Sequence, residues 1–494
     1  MEPDYQTGII GAGFGGIIAA LKLLEAGRKS FVLFERAHEI GGTWRDNTYP
    51  GCACDIPSVL YSISAEPNPN RSRRYSPQPE ILAYLKSVVA KHQLEQYLRF
   101  DSEIIDLEYE EQNGFWKLRD RHGRSTTVRA VILALGPFQK PSLPNLSGME
   151  TFQGKIVHSA KWDNNLNIKE QRVAVIGTGA SGIQIVPAIA PEVAHLTVFQ
   201  RTPSWISDRY DTEVSALAQQ IFRKLPLLQH FLRKAWYRFL EYRGGLFFGK
   251  TGRYRFFEKL CLKKLEREVS DPEVRRKLTP NYAMGCKRIV VSDDYLPAFN
   301  RPNVSLESSG IDRITPRGIL TKEGVEIPFD LLIFATGFEV IDYNSMKIKG
   351  KSGRELYKEW KQSGISAYKG TVVSGYPNFF TLLGPNSGFG HNSVLLAMEA
   401  QMEYVLQYLR QLDQLGRQAA LDLNPEIQRR YNETMQQKFK GTVWASGCRS
   451  WYLDEHGRNP VIYPGLMDDF RKETQSFEPR DYEVVNADAP HVMV

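Results

Sequence analysis

No stretch of the chain strings together the ~18 apolar residues that a helix needs to cross a bilayer, so a membrane-spanning protein is not expected. The start, Met1-Glu-Pro-Asp4, has no basic leader region, and Glu2 stands where myristoylation would need glycine. The expectation is a soluble, intracellular, cytoplasmic protein. Cysteine is scarce: Cys52, Cys54, Cys261, Cys286 and Cys448 form an odd set without CxxC spacing, which argues against a disulfide framework and a structural zinc site. No metal is expected. Nucleic-acid motifs are absent too, although residues 205 to 280 hold 17 Lys/Arg against 9 Asp/Glu, a local +8 in a chain whose formal net charge is +7. That basic stretch is aromatic as well, as in Phe231-Leu-Arg-Lys-Ala-Trp-Tyr-Arg-Phe-Leu240. It reads as an amphipathic helical subdomain with a solvated basic face, or as a peripheral membrane contact; nucleic acid is not an expected partner.

What the chain does have is glycine at chosen places. Thr7-Gly-Ile-Ile10 reads as a short strand, followed by Gly11-Ala-Gly13-Phe14-Gly-Gly16 and a helical pattern, Ile17 to Leu24, closed by Gly27. Gly11 permits a tight turn, Gly13 lets a pyrophosphate approach the backbone, and Gly16 lets helix pack on strand. A second strand, Phe31-Val-Leu-Phe-Glu35, ends in a carboxylate placed to accept from the ribose hydroxyls of an adenosine. The pattern recurs at Arg172-Val-Ala-Val-Ile176 with Gly177-Thr178-Gly179-Ala-Ser181-Gly182, and then His195-Leu-Thr-Val-Phe199. Where the first unit has Glu35, the second has Gln200-Arg201-Thr202, which removes a repulsive carboxylate and supplies a guanidinium for a 2′-phosphate. The first nucleotide is expected to be FAD and the second NADPH.

A chain of 494 residues exceeds one hydrophobic core. Ala130 to Gly136 and Asp330 to Gly337 each look like the last strand of a dinucleotide fold, which predicts an α/β protein with two Rossmann-like domains, one inserted in the other. The FAD domain would take residues 1–144 and 339–494. The NADPH domain would take 145–338, with a helical insert over 209–285. A helix is expected from Ser393 to about Leu412, and the polar tail after about residue 475 is expected to be loose.

Between the two units lies Phe152-Gln-Gly154-Lys-Ile-Val-His158-Ser-Ala-Lys-Trp162-Asp163, which resembles the FxGxxxHxxxW(P/D) signature of Baeyer-Villiger monooxygenases. Gly41-Gly42-Thr43-Trp44 followed by Tyr49-Pro50-Gly51 and Asp55 also fits that family's longer fingerprint, and the resemblance runs from about residue 5 to 470. It implies that dioxygen and a ketone are the co-substrates and that a peroxide carried on the flavin attacks the carbonyl to give an ester or lactone. Phe14, Gly42, Thr43, Trp44, Asp55 and Tyr61 would line the flavin.

In the same way, the pair Lys287-Arg288 matches the point where the family carries its essential arginine. Arg288 would stabilise negative charge, Asp55 would hold it, and Lys287 would reach the 2′-phosphate. Neighbouring side chains of an extended segment alternate, so Lys287 and Arg288 are expected to face different ends of NADPH. The segment from about 440 to 462 corresponds to the family's control loop, with Trp451 folding over the nicotinamide. His158 and Trp162 read as structural, Cys52 and Cys54 as unpaired, and Asp55 has a competing role as a helix cap before Ile56-Pro57-Ser58. Two rival functions stay open: a flavin monooxygenase acting on nitrogen or sulfur, and an NADPH-dependent flavoprotein reductase.

Overall fold

The computed structural model describes residues 2–248, 254–340, 345–416, 418–445, 447, 450–454 and 456–485. Its first strand, Tyr5–Ile10, pairs in parallel with Phe31–Phe34 on one side and with Ser125–Leu133 on the other, in register Ile10 to Phe34 and Ile10 to Leu133. Phe31–Phe34 is buried at every position rather than at alternate ones, as befits a strand covered on both faces. The helix Phe14–Glu25 supplies one cover, and Val394–Gln414 packs on it, with Met398 Sδ only 3.2 Å from where a Cβ on Gly15 would lie. The Ser393 hydroxyl caps that second helix by accepting the Leu395 N–H (3.3 Å).

This eight-stranded sheet takes its strands from residues 5–133 and 347–381, and its antiparallel part is the meander Ile104–Glu110, Phe115–Asp120 and Ser125–Leu133. A second sheet of five strands, all parallel, is ordered Val304–Glu307, His195–Phe199, Arg172–Ile176, Leu331–Phe334, Lys155–His158. Its strands fall in sequence between the two portions of the first, so one dinucleotide fold is inserted in the other. A two-stranded parallel neck, Ile206–Ser207 with Val290–Val291, then opens into the helices Ala216–Lys224, Pro226–Phe248, Tyr254–Glu268 and Pro272–Leu278.

Two expectations need correction. Among the described residues the insert's helices begin at Ala216 and end at Leu278, short of both ends of 209–285. Its entry is not helical: Tyr210 takes a left-handed backbone with φ +50°, held there by the Asp293 carboxylate, which accepts the N–H groups of Arg209, Tyr210 and Asp211 (2.8, 3.2 and 3.0 Å). Nor are residues 476–485 loose: Tyr482–Val485 pairs antiparallel with Ala420–Leu423, and Tyr482 stacks on Phe477 at 5.1 Å. Burying those two aromatic rings offsets the cost of ordering a terminal segment. Residues 486–494 lie outside the described residues.

Cys52, Cys54 and Cys261 are free, buried thiols. Cys286 is disulfide-bonded, so the odd cysteine set does not leave every thiol free. Among the described residues no helix is long and apolar enough to cross a membrane, and no cluster of side chains suits a metal ion.

Candidate active site

A cavity of about 780 Å³ lies where the two glycine loops, the Tyr49-Pro50-Gly51 loop, the helical insert and the C-terminal loop meet. Gly11, Gly13, Phe14, Glu35, Gly42, Thr43, Trp44, Asp55, Tyr61, Arg288 and Trp451 all reach its wall. The two loops are built alike. Gly11 has φ +105°, and a Cβ there would sit 2.7 Å from the Ala134 carbonyl; Gly177 has φ +111°, and its Cβ would sit 2.5 Å from the Ala335 carbonyl. The third glycines are tighter still, with a Cβ on Gly16 falling 1.9 Å from the Gly11 carbonyl and one on Gly182 falling 2.2 Å from the Gly177 carbonyl.

Gly13 faces Gly42 across the cavity wall, and a Cβ on Gly42 would lie 3.1 Å from the Gly13 Cα. Two backbones without side chains thus border one channel, as an extended dinucleotide requires. Glu35, buried beside it, accepts from the Ala12 N–H (2.9 Å), the Ala37 N–H (3.0 Å) and Arg45 Nη1 (2.9 Å). The expected ribose acid therefore also locks the glycine loop, and its remaining lone pairs are those left for hydroxyls. Arg45 was not foreseen, although it follows directly on the Gly-Gly-Thr-Trp motif. Phe14, Trp44 and Tyr61 form an edge-to-face aromatic cluster, with Trp44 Nε1 donating to the Tyr61 hydroxyl (3.0 Å).

The second loop reaches this wall only through Ala180: Gly177, Thr178, Gly179, Ser181 and Gly182 do not line the cavity, while Gln184, on the helix that follows, does. Gly179 would have nothing within 4 Å of a Cβ, which leaves its backbone open to a phosphate. Thr178 is tied to the following strand end, its hydroxyl donating to the Thr202 carbonyl (3.3 Å) and its carbonyl accepting from Ser204 Oγ (2.8 Å). Arg201 is exposed, and Lys287 lies over the Tyr282 ring at 4.9 Å. Burial, and after it the charge of Arg201, holds the Lys287 ammonium below the ordinary lysine range. Two cations thus face one region, an arrangement that suits a dianion.

The Tyr49-Pro50-Gly51 motif acquires a physical reason here. Tyr49 Oη donates to Gln184 Oε1 (3.0 Å), Gln184 Nε2 donates to the Ala53 carbonyl (3.0 Å), and a Cβ on Gly51 would lie 2.6 Å from the Gln184 carbonyl. The loop fastens the helix Gly182–Ile189 of one dinucleotide fold to the other, and no sequence signal marked Gln184.

Asp55 and Arg288 form an ion pair through Oδ2 and Nη2. The segment after Asp55 is a run of turns, so the competing helix-cap role does not arise. The Arg288 side chain keeps 36% of its surface accessible, and it lines the cavity. The Asp55 charge, working against burial, holds the guanidinium above its ordinary range. Lys287 does not line the cavity. The two side chains part as expected, but Lys287 lies in a bend ahead of the strand Val290–Val291 and not in an extended run. Tyr452 is buried beside Arg288, and its hydroxyl is pushed up to about 12 by burial. Trp451, its ring tilted against that of Tyr452 at 4.4 Å, is 47% exposed. Sequence reasoning also missed Arg209, whose Nη2 donates to the Cys54 carbonyl (3.0 Å), and Arg243, a half-buried guanidinium in the cavity wall.

His158 is buried at the junction of the two folds, where its Nδ1 accepts the Ala160 N–H (3.1 Å) and burial lowers its basicity. It caps a turn rather than serving the cavity. Trp162 packs half-buried against the main core.

A sequence profile of the flavin-binding monooxygenase-like family matches residues 5–359. A Streptomyces coelicolor protein named Baeyer-Villiger monooxygenase is 42% identical over 487 residues, spanning 98% of this chain and 93% of its own. The crystal structure of OTEMO complexed with FAD and NADP has a TM-score of 0.87 at 26% identity, covering 98% of this chain and all (100%) of that one. Cyclohexanone monooxygenase from Rhodococcus sp. Phi1, bound to NADP+, has a TM-score of 0.86 at 27% identity, covering 99% of this chain and 100% of that one.

Proposed function

The chain belongs to the flavin-binding monooxygenase-like family, within it to the Baeyer-Villiger monooxygenases, and we propose that it converts ketones to esters or lactones with FAD, NADPH and dioxygen. One oxygen atom enters between the carbonyl carbon and its neighbour, the other leaves as water, and NADPH supplies the two electrons. The observation that carries this reading is the Asp55–Arg288 pair on the cavity wall between the two glycine loops.

When bound, reduced FAD supplies the activation of dioxygen. Everything else falls to the protein. Asp55 engages Arg288 through Nη2, leaving other guanidinium N–H donors free for negative charge developing on the substrate carbonyl oxygen. Glu35, locked by Ala12, Ala37 and Arg45, would take the ribose of FAD, with Gly13 and Gly42 admitting its pyrophosphate and Phe14, Thr43, Trp44 and Tyr61 shaping the wall. Gly177, Thr178, Gly179, Ser181, Gly182 and Thr202 would form the NADPH loop, with Arg201 and Lys287 on the 2′-phosphate. Trp451, on the exposed side of the cavity, would exclude water once the nicotinamide is bound.

The test is turnover of cyclic, aromatic and linear ketones by the FAD-loaded protein under 18O2. An ester carrying one labelled oxygen is expected. Hydrogen peroxide alone with every ketone would indicate a reductase, and label found only on an amine or sulfide would indicate a heteroatom oxygenase.

The cofactor preference gives a second prediction. Arg201→Ala is expected to raise the KM for NADPH about tenfold while leaving that for NADH nearly unchanged, because only NADPH carries the 2′-phosphate. Because the Lys287 pKa is lowered, its charge is lost as pH rises through that lowered value. The wild-type KM for NADPH should therefore climb before the ordinary lysine range is reached, and Lys287→Arg should remove that climb. Equal effects on both nicotinamides would dismiss the phosphate role.

A further inference from the structure

The helix Pro226–Phe248 has its core face where a helix should, with Gln229, Tyr237, Leu240, Glu241 and Phe247 buried. Its opposite face is the anomaly. Leu227, Leu228, Phe231, Phe239 and Tyr242 are exposed, Leu227 by 84%, Tyr242 by 74% and Phe231 by 70%. At 100° per residue they share an arc of about 140° with Lys234 and Arg238. The preceding helix, Ala216–Lys224, adds exposed Leu217 and Ile221 and ends in Arg223 and Lys224. A solvated helix should turn polar groups outward, and an outward apolar face of this extent marks an interaction surface.

Charge identifies the partner. From Val214 to Leu240 there is no Asp or Glu, while Arg223, Lys224, Arg233, Lys234 and Arg238 lie within that stretch. Arg238 pairs with Asp468 (2.8 Å) and Arg233 donates to the Val59 carbonyl (2.8 Å), so the outward charge rests on exposed Arg223, Lys224 and Lys234. Bulky apolar groups interleaved with cations and free of acids are complementary to anionic headgroups over acyl chains. The same helix runs on into the cavity, whose wall includes Leu240, Gly244 and Phe247.

We propose that the outward face of Pro226–Phe248, with Ala216–Lys224, docks the enzyme on an anionic lipid bilayer and that the ketone it oxidises is a lipophilic one drawn from that bilayer. The second half rests on the monooxygenase reading above; the docking does not.

The FAD-loaded full chain should float with phosphatidylcholine vesicles containing phosphatidylserine, less with phosphatidylcholine alone, and should be released as salt rises. Two double variants, Leu227→Ser/Phe231→Ser and Lys224→Glu/Lys234→Glu, should each weaken binding about tenfold or more with flavin content unchanged. Both should lower kcat/KM for a long-chain ketone supplied in vesicles while leaving a short, water-soluble ketone unaffected. Absence of binding to the anionic vesicles, or binding indifferent to both variants, overturns the docking. So does sedimentation as a dimer in lipid-free buffer that Leu227→Ser/Phe231→Ser converts to monomer, which would assign the face to a second copy. Sound vesicle binding with equal kcat/KM for wild type and variants on the long-chain ketone overturns delivery alone. Sound vesicle binding with no ketone oxidised at all refutes the monooxygenase reading and the delivery that rests on it, while the docking stands.

Discussion

Arg288→Ala is expected to lower the rate of ester formation by about 100- to 1,000-fold, and the ester formed per NADPH consumed should fall toward zero. The guanidinium lines the cavity and is fixed there by Asp55, so its donors meet developing negative charge without reorganising. Removing it leaves the Asp55 carboxylate unpaired in the same wall, which turns a stabilising field into a repulsive one. Arg288→Lys keeps the charge but loses the planar fork, and an intermediate loss is expected. Asp55→Ala should cost less than Arg288→Ala, since the positive charge survives with its position relaxed. Product quantified against NADPH, with visible flavin absorbance as the check on cofactor retention, distinguishes these cases. Ester formation within about threefold of wild type in a flavin-loaded Arg288→Ala protein would remove Arg288 from the chemistry, since an oxyanion donor is worth far more than that.

The second large effect belongs to the first glycine loop. Gly16→Ala is expected to give a protein that purifies with little or no flavin, because the added Cβ would lie 1.9 Å from the Gly11 carbonyl, deep inside contact distance. The clash is backbone against backbone, and it can be relieved only by sliding the helix Phe14–Glu25 away from its strand, which opens the phosphate turn. Gly182→Ala should do the same to the second loop, where the Cβ would lie 2.2 Å from the Gly177 carbonyl, and should raise the KM for NADPH steeply. Gly179→Ala is the control. Nothing lies within 4 Å of its Cβ, so folding and flavin content should be normal and only the approach of NADPH should suffer. Flavin absorbance per protein reads the first variant, and a Gly16→Ala protein with full flavin content would sink the steric account.

Legibility in the sequence followed the range of the interactions. The glycine loops could be read because a turn's backbone conformation depends on a handful of consecutive residues. For the same reason Ser393 could be placed at the head of a helix. The polar look of residues 476 to 485 misled, because composition says nothing of a partner: Tyr482 is ordered by Ala420–Leu423 and by the Tyr408 ring, both distant in the chain. The entry to the helical insert misled in the same way, its backbone donors being taken by Asp293, more than 80 residues on.

By itself, then, the sequence determined two α/β units with glycine-rich turns, an acid after one and a base after the other, and the residue types that the proposed ketone-oxidising site would need. Tertiary structure alone decided which of them meet. Asp55 and Arg288 are 233 residues apart, and Tyr49 and Gln184 are 135 apart. Local conformational preference is written in neighbouring residues, whereas a contact between distant side chains exists only once packed sheets and helices have set their backbones within reach.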